Sequence, residues 1–586
     1  MNKLLLTPAL ALGLVAPSWA QDVSPDMRAL IPMDATALVR MDSLQDLEST
    51  VQTLAALIGP GLEDELTLEN LFSSMPPDFD PTWIDITQPW AIAVGKVDPM
   101  SGAEPAFCVL IPANDPQAIA SALASELPSY RVTGSYLGLS SAEGMYPNVD
   151  PNSPLLDRLP DGAIAGLIDL RPTLDEVGPM LKMFIGMGRG QMMSELQSDP
   201  SMPAPLRALS VDGVNYVFDM AEDVVESVTE LTFSLDMQGT LASTDIRIGF
   251  APGSPIAELH TQSGPRFSTT RRFMDVNAPV SQAQGFDLSW LSKSLRPYVD
   301  EILDAVEGEG GQNELGMPQE MFRMSRTALD RGMDVMGNFG NGFTASTFID
   351  DRGMSMGGWL QGVKGDELAG SLMALFEVEL AGLVGLELTT VEITESTRRM
   401  SLDFNPKTLA QNFGLSDREY QDLVEMKQLM MPQPIEVSTT TVGDQTLFIV
   451  NGSRNTITQA LQSAKDTSRQ VSPMLDRIEG LLGDSYPFSA AYYNVGEYIA
   501  GMGTFMSGMD PYSGGAPTSE ELARLESIEM PAATYAGFDG TSLRSGAQID
   551  VRDLGKLIEL MTDIESSRMG SPPVLEAVPL EPARER

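Results

Sequence analysis

The stretch Ile31–Gly59, IPMDATALVRMDSLQDLESTVQTLAALIG, contains a short apolar run, an aspartate and an amphipathic segment. From Leu44 to Leu57 the apolar residues recur in steps of three and four, which places them on one face of a helix. The preceding Asp42 offers a side-chain oxygen to the free N–H groups of the first helical turn. The stretch therefore predicts a strand followed by a capped helix that packs on a sheet.

Looser copies of this pattern begin further along the chain, near Leu159, Pro279 and Pro487. In each copy a Pro precedes an apolar run. An Asp or Asn ends each run, at Asp42, Asp169, Asp287 and Asn494. The helix faces that we expect to be buried are those of Leu47, Val177, Leu295 and Met502. Four copies in similar order indicate duplication, and the alternative is chance recurrence of a unit that is common in α+β proteins.

Each copy is followed by a hairpin and a further helix. In the clearest hairpin, Leu231–Met237 and Ile246–Phe250 alternate apolar and polar residues on either side of a Gln238-Gly239 turn. Such alternation is typical of an antiparallel sheet with one face covered. The predicted fold is therefore α+β, with tandem strand-helix-hairpin-helix modules and antiparallel sheets covered by helices.

The chain has 586 residues, which exceeds the roughly 250–300 residues at which a single core stops growing. We predict a signal peptide at 1–20, modules at 21–157, 158–272, 273–482 and 483–565, and a disordered tail at 566–586. The third module is enlarged by the polar helix Leu415–Met431 and the strands Ile435–Val442 and Gln445–Val450. The segment Tyr130–Leu139 is predicted as one strand, and Gly188–Pro205 as a polar connection.

The N-terminus has the features of a secretory signal peptide. Lys3 is the charged residue, Leu4–Val15 is the apolar region, and Ser18-Trp19-Ala20 is the cleavage site. We therefore expect a periplasmic or secreted protein of the bacterial envelope, cleaved after Ala20, with no transmembrane segment in the mature chain. The lone Cys108 excludes an internal disulfide and a lipidated N-terminal cysteine.

The formal net charge is −44. This charge disfavours nucleic acid and anionic lipid surfaces as partners. A solvated acidic coat suited to salty surroundings is the favoured interpretation, because the acids are scattered along the chain. A docking surface for cations or basic partners is the alternative.

The sequence offers few candidates for catalysis or cofactor binding. His260 is the only histidine, no Gly-x-Ser-x-Gly motif accompanies it, and Cys108 lies in an apolar strand. Zinc would need more His and Cys ligands than the chain contains. Asp78, Asp80 and Asp85 are the densest carboxylates, but they lack the spacing of a calcium loop. We therefore predict no catalytic residues, no cofactor-binding residues and no metal ligands, although a carboxylate pair among the 81 acids remains open.

The chain also contains 35 methionines. They cluster near two predicted helices, at Met180, Met183, Met187, Met192 and Met193 and at Met502, Met506 and Met509. Flexible, polarizable methionine surfaces can bind varied apolar ligands. Ordinary core filling is the favoured interpretation, and ligand binding the alternative. The glycines at Gly186–Gly190 and Gly308–Gly311 are predicted to be linkers.

Three segments carry a resemblance to known proteins: Ile31–Asp42, Trp83–Pro89 and Pro252–Leu259. They resemble a class of exported bacterial proteins that are known only as domain-of-unknown-function families. The resemblance implies a location in the cell envelope, and it implies no catalytic residues.

The combined expectation is an exported, soluble binding or scaffold protein of the envelope without catalytic activity. A carrier or chaperone for amphiphilic or lipid ligands is the first alternative, and a carboxylate-based hydrolase is the second. The expected partner is an envelope protein or an apolar ligand, and the sequence does not determine the oligomeric state.

Overall fold

The computed structural model describes residues 24–58, 67–73, 75, 79–96, 105–123, 129–142, 149, 153–198, 204–258, 265–285, 288–307, 319–338, 342–350, 353–376, 379–393, 397–430, 433–465, 472–509 and 517–569. Within these residues eighteen strands form one sheet. Helices pack on both faces of the sheet. The α+β class predicted from the sequence is confirmed.

The strands are β1 Ala35–Ser43, β2 Pro89–Gly95, β3 Phe107–Pro112, β4 Ser129–Thr133, β5 Tyr136–Ser140, β6 Ile164–Asp169, β7 Val228–Gln238, β8 Leu241–Phe250, β9 Val280–Gln284, β10 Phe343–Asp350, β11 Gly353–Gln361, β12 Leu386–Ile393, β13 Thr397–Phe404, β14 Ile435–Val442, β15 Gln445–Val450, β16 Phe488–Asn494, β17 Pro531–Phe538 and β18 Ser542–Asp550.

The α-helices are α1 Pro25–Arg28, α2 Leu44–Ile58, α3 Leu68–Phe72, α4 Pro116–Leu123, α5 Arg171–Ser198, α6 Ala204–Ser227, α7 Pro255–Glu258, α8 Phe267–Thr270, α9 Leu288–Glu307, α10 Gln319–Asn338, α11 Gly365–Phe376, α12 Glu379–Leu383, α13 Pro406–Phe413, α14 Asp417–Met430, α15 Arg454–Lys465, α16 Pro473–Leu482, α17 Val495–Met509, α18 Ser519–Glu526 and α19 Leu554–Met569.

Every strand pairing in the sheet is antiparallel. The register pairs give the order β4-β5-β3-β2-β1-β6-β7-β8-β18-β17-β16-β9-β10-β11-β15-β14-β13-β12. The sheet is therefore one continuous ribbon with β4 at one end and β12 at the other.

Four units of the same element order build the ribbon. In each unit a first strand, then helices, then two hairpin strands and a further helix follow in sequence. The three strands of the units are β1–β3, β6–β8, β9–β11 and β16–β18. First strands join the units in pairs, β1 with β6 and β9 with β16, and the third strands β8 and β18 join the two pairs. The tandem pattern predicted from the sequence is thus present in the fold.

The β8–β18 junction, here called the seam, lies on a pseudo-two-fold axis. The turns Gly239-Thr240 and Gly540-Thr541 precede the two strands, and both glycines have positive φ, +61° and +88°. When the turn before β8 is superposed on the turn before β18, Thr244 falls on Ser545 and Ile246 falls on Ala547. The register pair Thr244–Ala547 is thereby exchanged with the pair Ile246–Ser545. The axis therefore passes through the pair Asp245–Gly546.

The first and third units carry extensions, and both extensions attach at the third strand. In the first unit β5 pairs with β3 and with β4. In the third unit β15 pairs with β11, and β14, β13 and β12 follow outward. The predicted strands Ile435–Val442 and Gln445–Val450 are found with those bounds.

Of the four predicted capping residues, two accept a hydrogen bond from the start of the following helix. Asp169 and Asn494 end their strands, and they accept hydrogen bonds from Arg171 N (3.2 Å) and Gly496 N (3.3 Å). Asp42 does not cap α2, because β1 continues to Ser43 and Ser43 Oγ accepts from Asp46 N instead (3.0 Å). Asp287 lies outside the described residues.

The predicted buried helix faces are correct only in part. Leu47 is buried and Val177 is half-buried, whereas Leu295 and Met502 are 41% and 44% exposed. The helices of the last two units turn these side chains away from the sheet, although their sequence spacing is helical.

Three other segments differ from the sequence predictions. Tyr130–Leu139 is a hairpin of β4 and β5 that turns at Gly134, where φ is +55° and an added Cβ would overlap the Asp26 carboxylate. Most of the predicted connection Gly188–Pro205 is helix, because α5 continues to Ser198. Helix α19 continues to Met569, so the predicted tail at 566–586 begins too early.

Candidate functional site

The structure does not bring the candidate chemical residues together. His260 and Asp78 lie outside the described residues. Cys108 is fully buried in β3, where a substrate cannot reach its thiol. Asp80 and Asp85 each accept hydrogen bonds from the threonine two residues later, Asp80 Oδ1 from Thr82 N at 2.9 Å and Asp85 Oδ1 from Thr87 N at 3.0 Å. The bonds from Thr82 lower the pKa of Asp80. These carboxylates therefore stabilise turns.

The described residues contain no group of three His, Cys, Asp or Glu side chains placed to bind a metal ion. The glycines Gly186, Gly188 and Gly190 are inside α5 rather than in a linker. Gly308–Gly311 lies outside the described part of the chain.

A cluster of polar side chains lies on the seam, on the face of the sheet that carries α16. Asp245 of β8 accepts hydrogen bonds from Tyr535 Oη (2.8 Å) and Arg544 Nε (2.7 Å). An added Cβ at Gly546 would overlap Tyr535 Oη, so the glycine lets this side chain cross the strand. Arg477 Nη2 reaches from α16 to Asp236 Oδ2 at 3.3 Å. These contacts join one half of the molecule to the other.

Several polar atoms of this face are buried without a partner. Gln548 is 1% exposed, and neither its Oε1 nor its Nε2 makes a hydrogen bond. The same is true of Asp236 Oδ1 and of Arg40 Nε on β1. An unpaired buried polar atom costs about 1–3 kcal/mol. These unpaired atoms therefore lower the stability of the folded protein, which an apolar core at the same place would not do.

Asp42 is the most perturbed carboxyl of the cluster. It is 6% exposed, and burial raises its pKa to about 7. Arg40, whose Nη2 lies 4.0 Å from Asp42 Oδ1, lowers this pKa, while Asp46 and Asp236 raise it. A carboxyl that titrates near neutrality can act as a general acid or base. Asp42 and Asp236 are both buried, however, so a bulky substrate does not reach either carboxylate in this structure.

The second candidate region is the helical hairpin of α5 and α6. The two helices face each other through Lys182 with Glu226, and through Arg189 with Asp219 (2.6 Å). The Arg189 guanidinium also lies over the Phe218 ring, 5.8 Å from its centroid. These contacts determine which sides of the two helices are turned inward.

Large apolar side chains occupy the sides turned outward. On α5 they are spaced three and four residues apart, and on α6 they cover one turn. The exposed apolar residues are Met183, Phe184, Met187, Tyr216, Val217 and Met220, and we call them the apolar hairpin face. Met187 is 63% exposed and Tyr216 is 68% exposed. Core filling was the favoured interpretation of Met183, Met187 and Met192, and their exposure shows that it is wrong for these three.

The sequence analysis gave ligand binding at these methionines only as the alternative to core filling. Met180, Met183, Phe184 and Met187 have helical spacing, but the glycines at Gly186–Gly190 were predicted to form a linker. Each glycine inside a helix costs roughly 1 kcal/mol relative to alanine. Packing against α6 compensates, and Gly188 admits the Phe218 ring, which would lie 3.4 Å from an added Cβ.

Acidic side chains are exposed on both helices of the hairpin. Asp175 and Glu195 are exposed on α5, and on α6 Asp219 and Glu226 have 63% and 59% of their side-chain surface exposed. Over α5 and α6 together, eight Asp and Glu stand against four Lys and Arg. The region is therefore apolar and acidic at once.

Neither half of the described structure contains a helix with the length and apolar character needed to cross a membrane.

No protein-family model matches the sequence, and no curated protein matches it either. Two solved structures are similar in part, crystal forms III and I of a protein designated TP0453. The identities are 11% and 9%, and the matches cover 49% and 50% of this chain and 97% of that chain. Because the TM-score is 0.20 in both cases, the likeness supports no argument about fold or function.

Proposed function

We propose that the protein is a non-catalytic binding protein of the bacterial cell envelope, and that its partner docks on the apolar hairpin face. The observation that carries the proposal is the exposure of six large apolar side chains on one helical hairpin. On α5, Met183, Phe184 and Met187 lie on one side of the helix, and an exposed apolar stripe of this kind marks an interaction site. Methionine adds side-chain flexibility, which helps one surface fit its partner.

The location rests on the N-terminal sequence, where the apolar segment Leu4–Val15 and Ser18-Trp19-Ala20 have the features of a cleaved signal peptide. Absence of catalysis is part of the proposal because Asp42, whose pKa is raised to about 7 by burial, is enclosed.

A paired substitution tests the docking surface. Phe184→Ser with Met187→Ser removes the centre of the apolar hairpin face without changing the charge. Phe413→Ser with Met426→Ser is the matched control, because both residues are exposed apolar side chains on another helical pair, α13 and α14. Cross-linking in the source cells followed by quantitative mass spectrometry should lose its products only with the first variant. Identical products from both variants would contradict the proposal.

A carrier for amphiphiles is the second candidate. It is favoured by the exposure of Ile246 and Leu543, 47% and 40%, in the middle of the sheet at the seam. Helices cover the sheet on both sides of this point, where Met237 packs with Leu54 and Phe250 packs with Leu174. Stoichiometric lipid in organic extracts of the purified protein, lost on Ile246→Asn, is the result that this candidate requires.

A further inference from the structure

Two arginines lie directly opposite each other at the seam. Arg247 of β8 is the register partner of Arg544 of β18, next to the axis pair Asp245–Gly546 on the same face of the sheet. Directly opposed side chains in an antiparallel pair have Cβ atoms about 4.5–5.5 Å apart, and like charges at such positions destabilise the sheet. Since the chain contains 81 acids and only 37 bases, an opposed pair of bases is unexpected in it.

The pseudo-two-fold axis shows that the fold does not require this pair. When the turn before β8 is superposed on the turn before β18, Arg247 falls on Gln548 and Ser243 falls on Arg544. Ser243 and Gln548 are themselves register partners, and their pair is neutral. The two guanidinium groups are therefore a property of one side of the seam and not of the strand geometry.

The pair has open hydrogen-bond donors. Arg247 is partly buried, and it makes no hydrogen bond or ion pair with any residue in the described part of the chain. Arg544 donates from Nε to Asp245 and from Nη1 to the Leu481 carbonyl oxygen (2.8 Å), which leaves its Nη2 without a partner among the described residues. None of these open nitrogens is enclosed. A small ligand can therefore reach donors of both arginines.

The nearest acids are held by other donors. Asp245 is bonded to Arg544 Nε at 2.7 Å. Glu230 of β7, which is diagonal to Arg247 across the strands, accepts from Arg158 Nε at 3.0 Å. Neither carboxylate bonds Arg247. The donors of Arg247 are thus left for a group outside the described residues.

A phosphate group matches the arrangement of these donors. Thr232 of β7 is the register partner of Arg247 on its other side, so one hydroxyl and two guanidinium groups occupy neighbouring positions on three strands. Arginine suits phosphate because several of its N–H groups can bond the oxygens of one anion. Phosphate oxygens point in several directions and can accept from three strands at once, whereas the two oxygens of a carboxylate share one plane.

We infer that Arg247, Arg544 and Thr232 form a binding site for a single phosphate group. The site lies on the opposite face of the sheet from Ile246, because side chains alternate along β8. It is independent of the docking proposed for the apolar hairpin face, and either proposal can fail without the other.

Calorimetric titration of the mature full-length protein with inorganic phosphate tests the inference. Sodium chloride at equal ionic strength is the reference, because salt alone screens the charge of the chain. We expect phosphate to bind the wild type, and Arg247→Gln to weaken its binding by at least about tenfold. This variant should fold, since Gln548 occupies the equivalent position in β18.

Arg418→Gln is the matched control, because it removes the same charge from an exposed position on α14 and should leave the affinity unchanged. Arg544→Lys is a second variant that keeps the positive charge beside Asp245 but removes Nη2, and it should weaken binding several-fold. The thermal midpoint of each variant reports whether its fold is intact. Equal losses in Arg247→Gln and Arg418→Gln would overturn the inference.

Further titrants distinguish the source of the phosphate group. Glycerol 3-phosphate and a short-chain phosphatidic acid carry the same group on a small alcohol and on a lipid. Equal affinity for these esters and for inorganic phosphate supports a site for the free anion. Tighter binding of phosphatidic acid that is lost in Arg247→Gln supports a site for a lipid head group. Failure of all three to bind, or acetate binding as tightly as phosphate, would overturn the inference.

Discussion

At the scale of single residues, Asp42 shows how the residue at which a strand ends decides the role of a side chain. The sequence pattern assigns it to the helix cap. Strand β1 instead continues to Ser43, so Asp42 lies on the same buried face as Arg40, two residues earlier, and Ser43 caps α2. Sequence alone does not decide between the two positions, because Asp42 and Ser43 are adjacent and both residue types cap helices.

Substitution of Asp42 should change the pH dependence of the free energy of unfolding. Its pKa rises from the ordinary value of 3.8 to about 7 on folding, so the folded state holds the proton more tightly. The protonated form favours folding below the unfolded pKa, and this contribution is lost as pH rises toward 7. Asp42→Asn should therefore raise the free energy of unfolding at pH 8, by at most about 4 kcal/mol. Urea titrations at pH 4 to 8 measure it, with Asp34→Asn at an exposed site as control. A variant with the wild-type slope between pH 4 and 7 would show that Asp42 does not titrate there.

At the scale of elements, α2 is the part of the first unit that sequence periodicity describes best. Leu47 is 1% exposed and packs with Ile84 and Ile164. Its burial follows from the spacing alone. The α5–α6 hairpin could not be predicted in the same way, because its stability comes from contacts between two helices that are separated in sequence, such as Arg189 with Asp219.

Placing a charge in the α2 interface should destabilise the protein. Leu47→Asp buries an unpaired carboxylate, and we expect a loss of several kcal/mol, on the order of 3–5 kcal/mol. Gln45→Asp is the control because Gln45 is exposed on the same helix, and its cost should be within about 0.5 kcal/mol. Glu48 is unsuitable as a control, since its Oε1 accepts from Leu68 N at 2.7 Å. Chemical denaturation would measure both changes, and similar losses at the two positions would mean that α2 does not pack as described.

The seam is held by a polar contact whose energy can be isolated. Asp245 and Arg544 are both largely buried and 2.7 Å apart, so removing either charge leaves the other without its counter-ion. Asp245→Asn and Arg544→Gln should each destabilise by roughly 2–4 kcal/mol, and the double variant by less than their sum. The measured quantity is the coupling free energy from a double-mutant cycle. Strict additivity of the two changes would mean that the contact does not join the halves.

At the scale of the whole molecule, the net charge predicts a response to salt. With 81 acids and 37 bases, like charges repel throughout the folded chain, and screening at sea-water ionic strength relieves that repulsion. Thermal midpoints should rise from low salt to sea-water levels of sodium chloride. Potassium chloride at equal ionic strength should have the same effect. A flat or falling midpoint would exclude self-repulsion as an important term.

The repeat of units was visible in the sequence, whereas their arrangement was not. Asp169 and Asn494 mark two strand ends correctly, because hydrophobic spacing and capping are local signals. The order first, second, fourth and third unit across the sheet depends on β8 meeting β18, and no local pattern in either strand specifies that partner. The exposed apolar hairpin face was likewise hidden, since helical spacing alone does not reveal which face a neighbour will cover.

The pseudo-two-fold axis has a consequence for how the protein can evolve. In a dimer of identical chains, a residue on the axis meets its own copy, so an aspartate there would oppose another aspartate. Here the axis passes between Asp245 and Gly546, and one carboxylate stands opposite a residue with no side chain. Joining both halves in one polypeptide also makes their association intramolecular and independent of protein concentration. A single gene can therefore keep the geometry of a symmetric dimer with one carboxylate at its centre, whereas two copies of one half would place two carboxylates there, which repel each other.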